Sequence, residues 1–529
     1  MLFNSYPFIF IYLPVVLIVF FAVGRFNRLA AALWLGVASV FFYAWWDWRF
    51  TGVLLISILS NFCFGLALNR RRIRGDAAGL RVLLGVAIAG NLLALAYFKY
   101  MNFFVTTILH ALGAHAAWEA IVLPIGISFF TFTQIAFLVD TAKGKAREVN
   151  FAHYLLFVTY FPHLIAGPIL HHSEMMPQFE KSDTYSPRAR SLAIGMTVFI
   201  FGLFKKVVLA DAIAPFADFA FSPSQSRHLT LVHAWLGVLA YTLQIYFDFS
   251  AYTDMAIGVS RLFNIKLPPN FESPYRALSI VDFWRRLHMT LSRFLRDYLY
   301  IPLGGNRRGT FLRYVNLLIT MALGGLWHGA GWTFIVWGCL HGIYLIVNHA
   351  WQGVKVSFRV AGGLAEGLAA ILAWGLTFLS VVVAWVFFRA PDIDTALSLL
   401  GGMLGRNGVT LPKMFVPLLG PAVPPLERLG VAFGDIAQFG GQGRTLRQAA
   451  MLTVGLLIIA LFSPNIRQVM GDEELVIGSG ALQTGSSPTS IPAMARWNPR
   501  IVWALASFVA LVVSLSKMSR VSQFLYFQF

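Results

Sequence analysis

"LRYVNLLITMALGGLWHGAGWTFIVWGCLHGIYLIVNHA", residues 312–350, reads as two apolar runs, 312–326 and 331–350, separated by a glycine-rich joint that carries a histidine. Each run approaches the ~20 residues that cross a bilayer as a helix. Gly324, Gly325, Gly329 and Gly331 argue against a continuous helix through the joint and would let a ligand approach the backbone closely. His328 is therefore expected partway into the membrane, where an ionisable side chain is costly and by default functional. His341 lies on the following run, where packing or hydrogen bonding is the simpler reading.

Comparable runs recur at 7–24, 29–46, 50–68, 81–98, 119–139, 191–210, 229–262, 367–390, 447–463 and 500–516. Of 529 residues, 58% are hydrophobic and 12% charged, and mean hydropathy is +0.69. Soluble domains carry about twice that charge, ~25%. The chain is predicted to be an all-α, polytopic integral membrane protein with about 11–12 transmembrane helices. Its first run lacks a preceding basic region and a following small-residue cleavage site, so it reads as a span rather than a removed signal peptide.

A formal net charge of +18 would suggest nucleic acid in a soluble chain. Here the basic residues gather in short loops between spans, as in Arg70-Arg71-Arg72-Ile73-Arg74. They read as cytoplasmic anchors facing anionic membrane lipid, and no nucleic-acid partner is expected. Cys63 and Cys339, the two cysteines, both sit in apolar runs; they exclude a disulfide framework and give no metal site. Arg25, Arg28 and the Arg70 cluster place the loops after the first and third spans in the cytoplasm. For the loop with Lys143, Lys145 and Arg147 to join them, 100–115 must be interfacial or re-entrant rather than a span, which is the reading preferred.

Some segments are neither clean spans nor ordinary loops. Residues 151–180 are too apolar for water but are broken by Pro162, Gly167 and Pro168, while 277–303 are amphipathic and charged. At membrane depth such backbone is tolerated only inside protein or along a water-filled cavity. A central funnel lined by re-entrant and interfacial helices is therefore expected. Residues 403–446 and 468–499 are Pro/Gly/Ser-rich connectors. The domain reading is a membrane core over 1–400, with 401–529 supplying connectors and the last two spans, packed on the same domain.

The chemistry concentrates in "NFESPYRALSIVDFWRRLHMTLSRFLRDYLYIPLGGNRRG", residues 270–309. A helix over Ser279–Ile301, N-capped by Ser279, makes i,i+4 pairs of Asp282 with Arg286 and of Arg293 with Asp297. Arg285, His288 and Ser292 form a neighbouring stripe. One reading is an interfacial helix held by its own ion pairs. The other turns Arg285 and His288 towards a cavity or an anionic ligand, with Arg296 and the glycine turn before Arg307 and Arg308 as weaker anion candidates. In "QIYFDFSAYTDMAIGVSRLF", 244–263, Asp248 either faces a watery route or is satisfied by tyrosine hydroxyls and basic neighbours, with Tyr246 and Tyr252 at hand. Asp254 looks more like the structural partner of an arginine.

No zinc-protease, serine-hydrolase, Walker, dinucleotide-binding or CxxC motif occurs at a credible position. A buried histidine without a nucleophilic serine suits general-base activation of a hydroxyl near neutral pH. A thioester donor is already activated, so no metal is needed. Acyl transfer to an alcohol fits.

These pieces resemble the membrane-bound O-acyltransferase (MBOAT) family, in the branch of bacterial alginate O-acetyltransferase membrane subunits. The resemblance runs collinearly over about residues 1–400, through "PIGISFFTF" at 124–132, "FPHLIAGPI" at 161–169, "GLFKKVVLAD" at 202–211, "QIYFDFSAYTDMAIG" at 244–258, "DFWRRLHMTLSRFLRDYLYIPLGGNRRG" at 282–309, "LWHGAGWTFIVWGCLHG" at 326–342 and "WVFFRAP" at 385–391. It implies a ring of helices around a thin core, where a cytoplasmic funnel meets an outward-facing tunnel. The family's invariant histidine maps to His328, and a second important histidine of the D-alanine-transferring branch maps to His288. Asp248, Trp284, Arg285, Ser292, Trp327 and Gly329 become candidate substrate contacts, with His341, Asp254 and Asn270 in support. The resemblance further implies no tightly bound cofactor, acetyl-CoA or another acyl thioester as donor, a periplasmic SGNH-type acetyltransferase partner alongside polysaccharide synthesis and export machinery, and a bacterial inner-membrane location. His163 stands where glutamine is expected and would alter the lining of the site; Ala251 stands for a glycine. The competing expectations are D-alanyl, lipid or protein acyl transfer on the same fold, and, in another class, a polysaccharide or lipid transporter using Asp248, Asp254 and the histidines as a proton relay.

Overall fold

The computed structural model describes residues 1–113, 118–355, 364–434, 439–441, 443–471, 475–477, 496–518 and 522–525. Among the described residues, six helices are long and apolar enough to cross a membrane by length and composition, Trp48–Ile73, Ala77–Leu109, Ala189–Ala220, Thr310–His328, Trp332–Gln352 and Ala365–Arg389, and six shorter apolar helices, of 10–17 residues, accompany them. The chain is a multi-pass membrane protein. Its central column is the 32-residue helix Leu231–Leu262, buried continuously from Ala240 to Leu262. That helix is too polar to rank with the apolar spans, since it carries Asp248, Asp254 and Arg261 inward.

Polar side chains tie the helices together where lipid offers no partner. Asn61 and Asn91 exchange two side-chain hydrogen bonds, of 3.1 and 2.7 Å, between Trp48–Ile73 and Ala77–Leu109. Lys206, on Ala189–Ala220, meets Asp248 at 2.7 Å with both side chains almost wholly buried. Its neighbour Lys205 pairs with Asp254 at 2.5 Å. The partner of Asp254 is thus a lysine rather than an arginine, because the facing turn of helix presents Lys205.

Residues 101–111 do not form a separate re-entrant piece. They continue the helix that starts at Ala77, through a single π turn at Ala96–Tyr100. One long helix in place of two pieces still returns the 143–147 loop to the Arg70 side, and Gly144 lies against the Arg72 guanidinium. In the 403–446 connector the structure forms a two-stranded parallel sheet, Val409–Pro412 with Val431–Gly434. Most of the 468–499 connector lies outside the described residues. Beyond it, Ile501–Lys517 packs against the Ala189–Phe204 helix, and Leu446–Phe462 against Leu231–Leu262.

The joint that opened the sequence reading is tighter than expected. Thr310–His328 runs unbroken through Gly324 and Gly325, and the break is confined to residues 329–331. These glycines serve helix contact. A Cβ on Gly325 would lie 2.2 Å from the Phe334 carbonyl oxygen, and one on Gly338 would lie 2.3 Å from that of Met321. Backbones this close tolerate no side chain. Gly338→Ala is expected to destabilise the protein by about 1–3 kcal/mol, seen as a lowered melting temperature in detergent. Gly375→Ala, which meets open space, should not lower it.

Candidate functional site

The expected helix Ser279–Ile301 is interrupted where the chemistry lies. Ser279 does cap Ile280–Arg286, accepting from Asp282 N at 3.1 Å. That helix ends before His288, which adopts a left-handed conformation with φ +43°, and Met289–Leu295 begins after it. The cause is a competing partner. Residues 270–272 run alongside in extended form, with Glu272 N donating to Arg286 O at 2.9 Å and Met289 N to Asn270 O at 3.1 Å. A non-glycine residue in this region costs about 1–3 kcal/mol and persists only where the surroundings over-determine it.

Asn270 supplies that determination. Its side-chain oxygen accepts from Thr290 N at 3.2 Å and from Thr290 Oγ1 at 2.8 Å. A backbone N–H can only donate, so the atom facing Thr290 is the amide oxygen. The same oxygen lies 3.2 Å from His288 Nδ1. His288 therefore donates from Nδ1, and in the neutral ring Nε2 is the proton acceptor.

His328 is the last residue of its helix, and its ring centroid lies 6.4 Å from that of His288. Both histidines are buried. They line one narrow cavity whose other walls include Tyr246, Tyr275, Trp284, Trp337, Trp385 and Phe388. Its free space is about 20 Å³, room for a water-sized group. Trp337 and Phe388 each hold the His328 ring edge-to-face, with centroids 5.1 Å away.

Of the residues singled out in the sequence, the structure thus brings His288, His328 and Trp284 to one cavity, with Asn270 behind His288. His341 stands behind that wall, 4.9 Å from the Trp337 ring, and accepts from Trp284 Nε1 at 3.3 Å. It orients two walls and does not line the cavity.

Other candidates are placed elsewhere. Asp248 does not reach the histidines. It accepts from Lys206 and, at 2.9 Å, from Leu525 N, so it pins the chain's last described residues. Arg285 is exposed. Ser292 Oγ donates to Trp284 O at 3.1 Å, bridging the two short helices. The Trp327 ring packs against Phe129 and Phe132, and a Cβ on Gly329 would collide with the Phe334 ring at 2.1 Å. His163 turns to the Phe157 carbonyl, 3.0 Å away, and leaves the cavity lining unchanged.

The ion pairing differs as well. Asp282–Arg286 forms at 2.9 Å, but Arg293 bonds Glu174 and Asp297 bonds Arg296. The π turn at Arg296–Tyr300 shifts the register on which Arg293–Asp297 depended. Trp337, Trp385 and Phe388 went unpredicted as walls. Their only sequence signal is aromatic content within the 326–342 and 385–391 stretches. Among the described residues no group of three or more His, Cys, Asp or Glu is placed to hold a metal ion.

Residues 40–355 match the sequence model of the membrane-bound O-acyltransferase family. The chain is 45% identical over 438 residues to a peptidoglycan O-acetyltransferase of Helicobacter pylori, covering 78% of this chain and 81% of that protein. A probable alginate O-acetylase of Azotobacter vinelandii is 38% identical over the full length of both chains. A teichoic acid D-alanyltransferase of Streptococcus thermophilus is 29% identical over 245 residues, 44% of this chain and 58% of that one.

Asn270→Ala leaves Thr290 and His288 without the oxygen that both now use. Loss of stability by about 1–3 kcal/mol is expected, read by thermal melting in detergent. Asn270→Asp, which keeps an accepting oxygen, should retain more of it.

Proposed function

The chain belongs to the membrane-bound O-acyltransferase family and is an O-acyltransferase, and from that premise we propose that it carries acetyl groups from a cytoplasmic acyl thioester, such as acetyl-CoA, towards an exported glycan at the bacterial inner membrane. The observation that carries this reading is the pair of buried imidazoles, 6.4 Å apart, in an aromatic-walled cavity. His328 takes the proton of the acceptor hydroxyl as general base. The new C–O bond forms at the acyl carbon while the C–S bond breaks, and the proton passes on to the leaving thiolate. His288, whose Nδ1–H is committed to Asn270, has only an accepting Nε2 left; since the reacting hydroxyl's single proton goes to His328, His288 serves by lining the cavity beside that hydroxyl. The aromatic walls keep water from hydrolysing the thioester.

A periplasmic SGNH-type acetyltransferase and the polymer's synthesis and export machinery complete this route beyond the membrane. The named activities of the relatives support two acceptors. An alginate- or cellulose-like polysaccharide follows the full-length similarity to a probable alginate O-acetylase. Peptidoglycan follows the 45% identity to a peptidoglycan O-acetyltransferase. D-alanyl transfer has the weaker support of 29% identity over less than half of the chain. A transporter reading loses its proton relay, since Asp248 and Asp254 are both engaged by lysines away from the histidines.

Mass spectrometry of exopolysaccharide and of muropeptides from a deletion strain, complemented with wild type or His328→Ala, tests this reading. Wild type should restore acetyl groups to one of the two glycans. His328→Ala, present in the membrane at normal level, should lower transfer by about 10²–10⁴-fold. Full acetylation by His328→Ala would overturn the assignment.

A further inference from the structure

The helix that delivers His328 ends inside the protein, and the last carbonyls of any helix lack intrahelical donors. Their partners here can be followed one by one. Gly325 O accepts from the capping Gly329 N at 3.4 Å. Leu326 O accepts from Tyr100 OH at 3.0 Å. Trp327 O accepts from the Lys99 ammonium in a short hydrogen bond, and His328 O accepts from the same ammonium at 3.2 Å. The third donor of Lys99 goes to Ser128 Oγ at 3.2 Å. Lys99 is 8% exposed, and its hydrogen-bond partners are neutral oxygens without a carboxylate among them.

We propose that Lys99 is a positioning residue for His328, a helix C-cap supplied by another helix, whose charge is balanced by the carbonyl end of Thr310–His328. The partial negative charge that gathers at a helix C-terminus favours a cation there. The ammonium acts on the main chain of His328 itself and of the residue before it. It therefore fixes where the catalytic ring starts, with no contact to substrate required. The local backbone is built for this task. Lys99 and Tyr100 are consecutive, and both reach the same helix end because they lie in the π turn Ala96–Tyr100, which sets their side chains at other angles than an α-helix would. Without the ammonium, two carbonyls of buried residues would lose the donor that pairs them, and the 329–331 break leaves that helix end free to shift.

The inference rests on His328 as the centre of acyl transfer, so the experiment separates the two claims. Purified Lys99→Met, Lys99→Arg, Tyr100→Phe, His328→Ala and wild type are assayed for acyl transfer from a thioester donor in detergent or nanodiscs, with melting temperature recorded for each. Lys99→Met should lower kcat by about 10–100-fold, the scale of a displaced catalytic group, while KM for the donor changes less than threefold. Lys99→Arg, which restores a cation and donors, should recover part of the kcat. Tyr100→Phe, which frees only Leu326 O, should fall between wild type and Lys99→Met. A Lys99→Met protein with wild-type kcat, beside an inactive His328→Ala, would overturn the positioning role and spare the site. A melting temperature lowered with kcat unchanged would also overturn it, as the mark of a purely structural lysine. An active His328→Ala would overturn the site assignment and this inference with it.

Discussion

A helix that stops inside a membrane protein leaves its final carbonyls with only protein to bond. Thr310–His328 stops in this way, and the placement of its end governs the rest of the site. The Lys99 ammonium and the Tyr100 hydroxyl reach across from Ala77–Leu109 to hold the last turn. On the other side, Gly325 and Gly338 bring Trp332–Lys355 so close that Trp337 stands edge-on to the His328 ring. The imidazole is thus set from its backbone and from its face at once. A water-filled loop could not give that precision, and a continuous span would carry the histidine past the break.

The second imidazole is fixed by a different device with the same logic. His288 sits in a left-handed conformation between two short helices, held there by Asn270 and the extended strand on which Asn270 lies. Hydrogen bonds from Thr290 settle which atom of Asn270 faces the ring, and so which nitrogen of His288 carries the proton. Two pieces of interrupted helix therefore meet at one cavity. In each case the interruption puts a polar group where an unbroken helix would have put a repeat of its apolar face.

Much of this was legible in the chain. The long apolar helices and the membrane class follow from runs of hydrophobic residues, and the choice of His328 from a histidine placed where lipid should be; His288 is singled out by a charged amphipathic stripe and by the family resemblance. The Ser279 cap and the Asp282–Arg286 pair also follow, because both are local. What the chain could not show was long-range. For Asp248 a watery route and satisfaction by basic neighbours both stay open in the sequence, and only the fold puts Lys206 opposite it, forty-two positions away in the chain. The glycines around residue 325 read as room for a ligand, and the neighbouring helix fills that room. Lys99, a lone cation after an apolar run, gave no local signal because its partners lie 228 and 229 positions further on. Helical periodicity likewise cannot show that residues 270–272 will compete with the Ser279–Ile301 helix for its hydrogen bonds.

The central claim is that the acyl group passes between His288 and His328. The most direct measurement is an experimental structure of the purified protein bound to a non-hydrolysable acyl-thioester analogue. The expected result is the acyl carbon in the cavity between the two rings, within contact of His328, with the Trp284 and Trp337 walls opened to admit it. An analogue bound with its acyl carbon elsewhere, and the two histidines still closed on each other, would contradict the account.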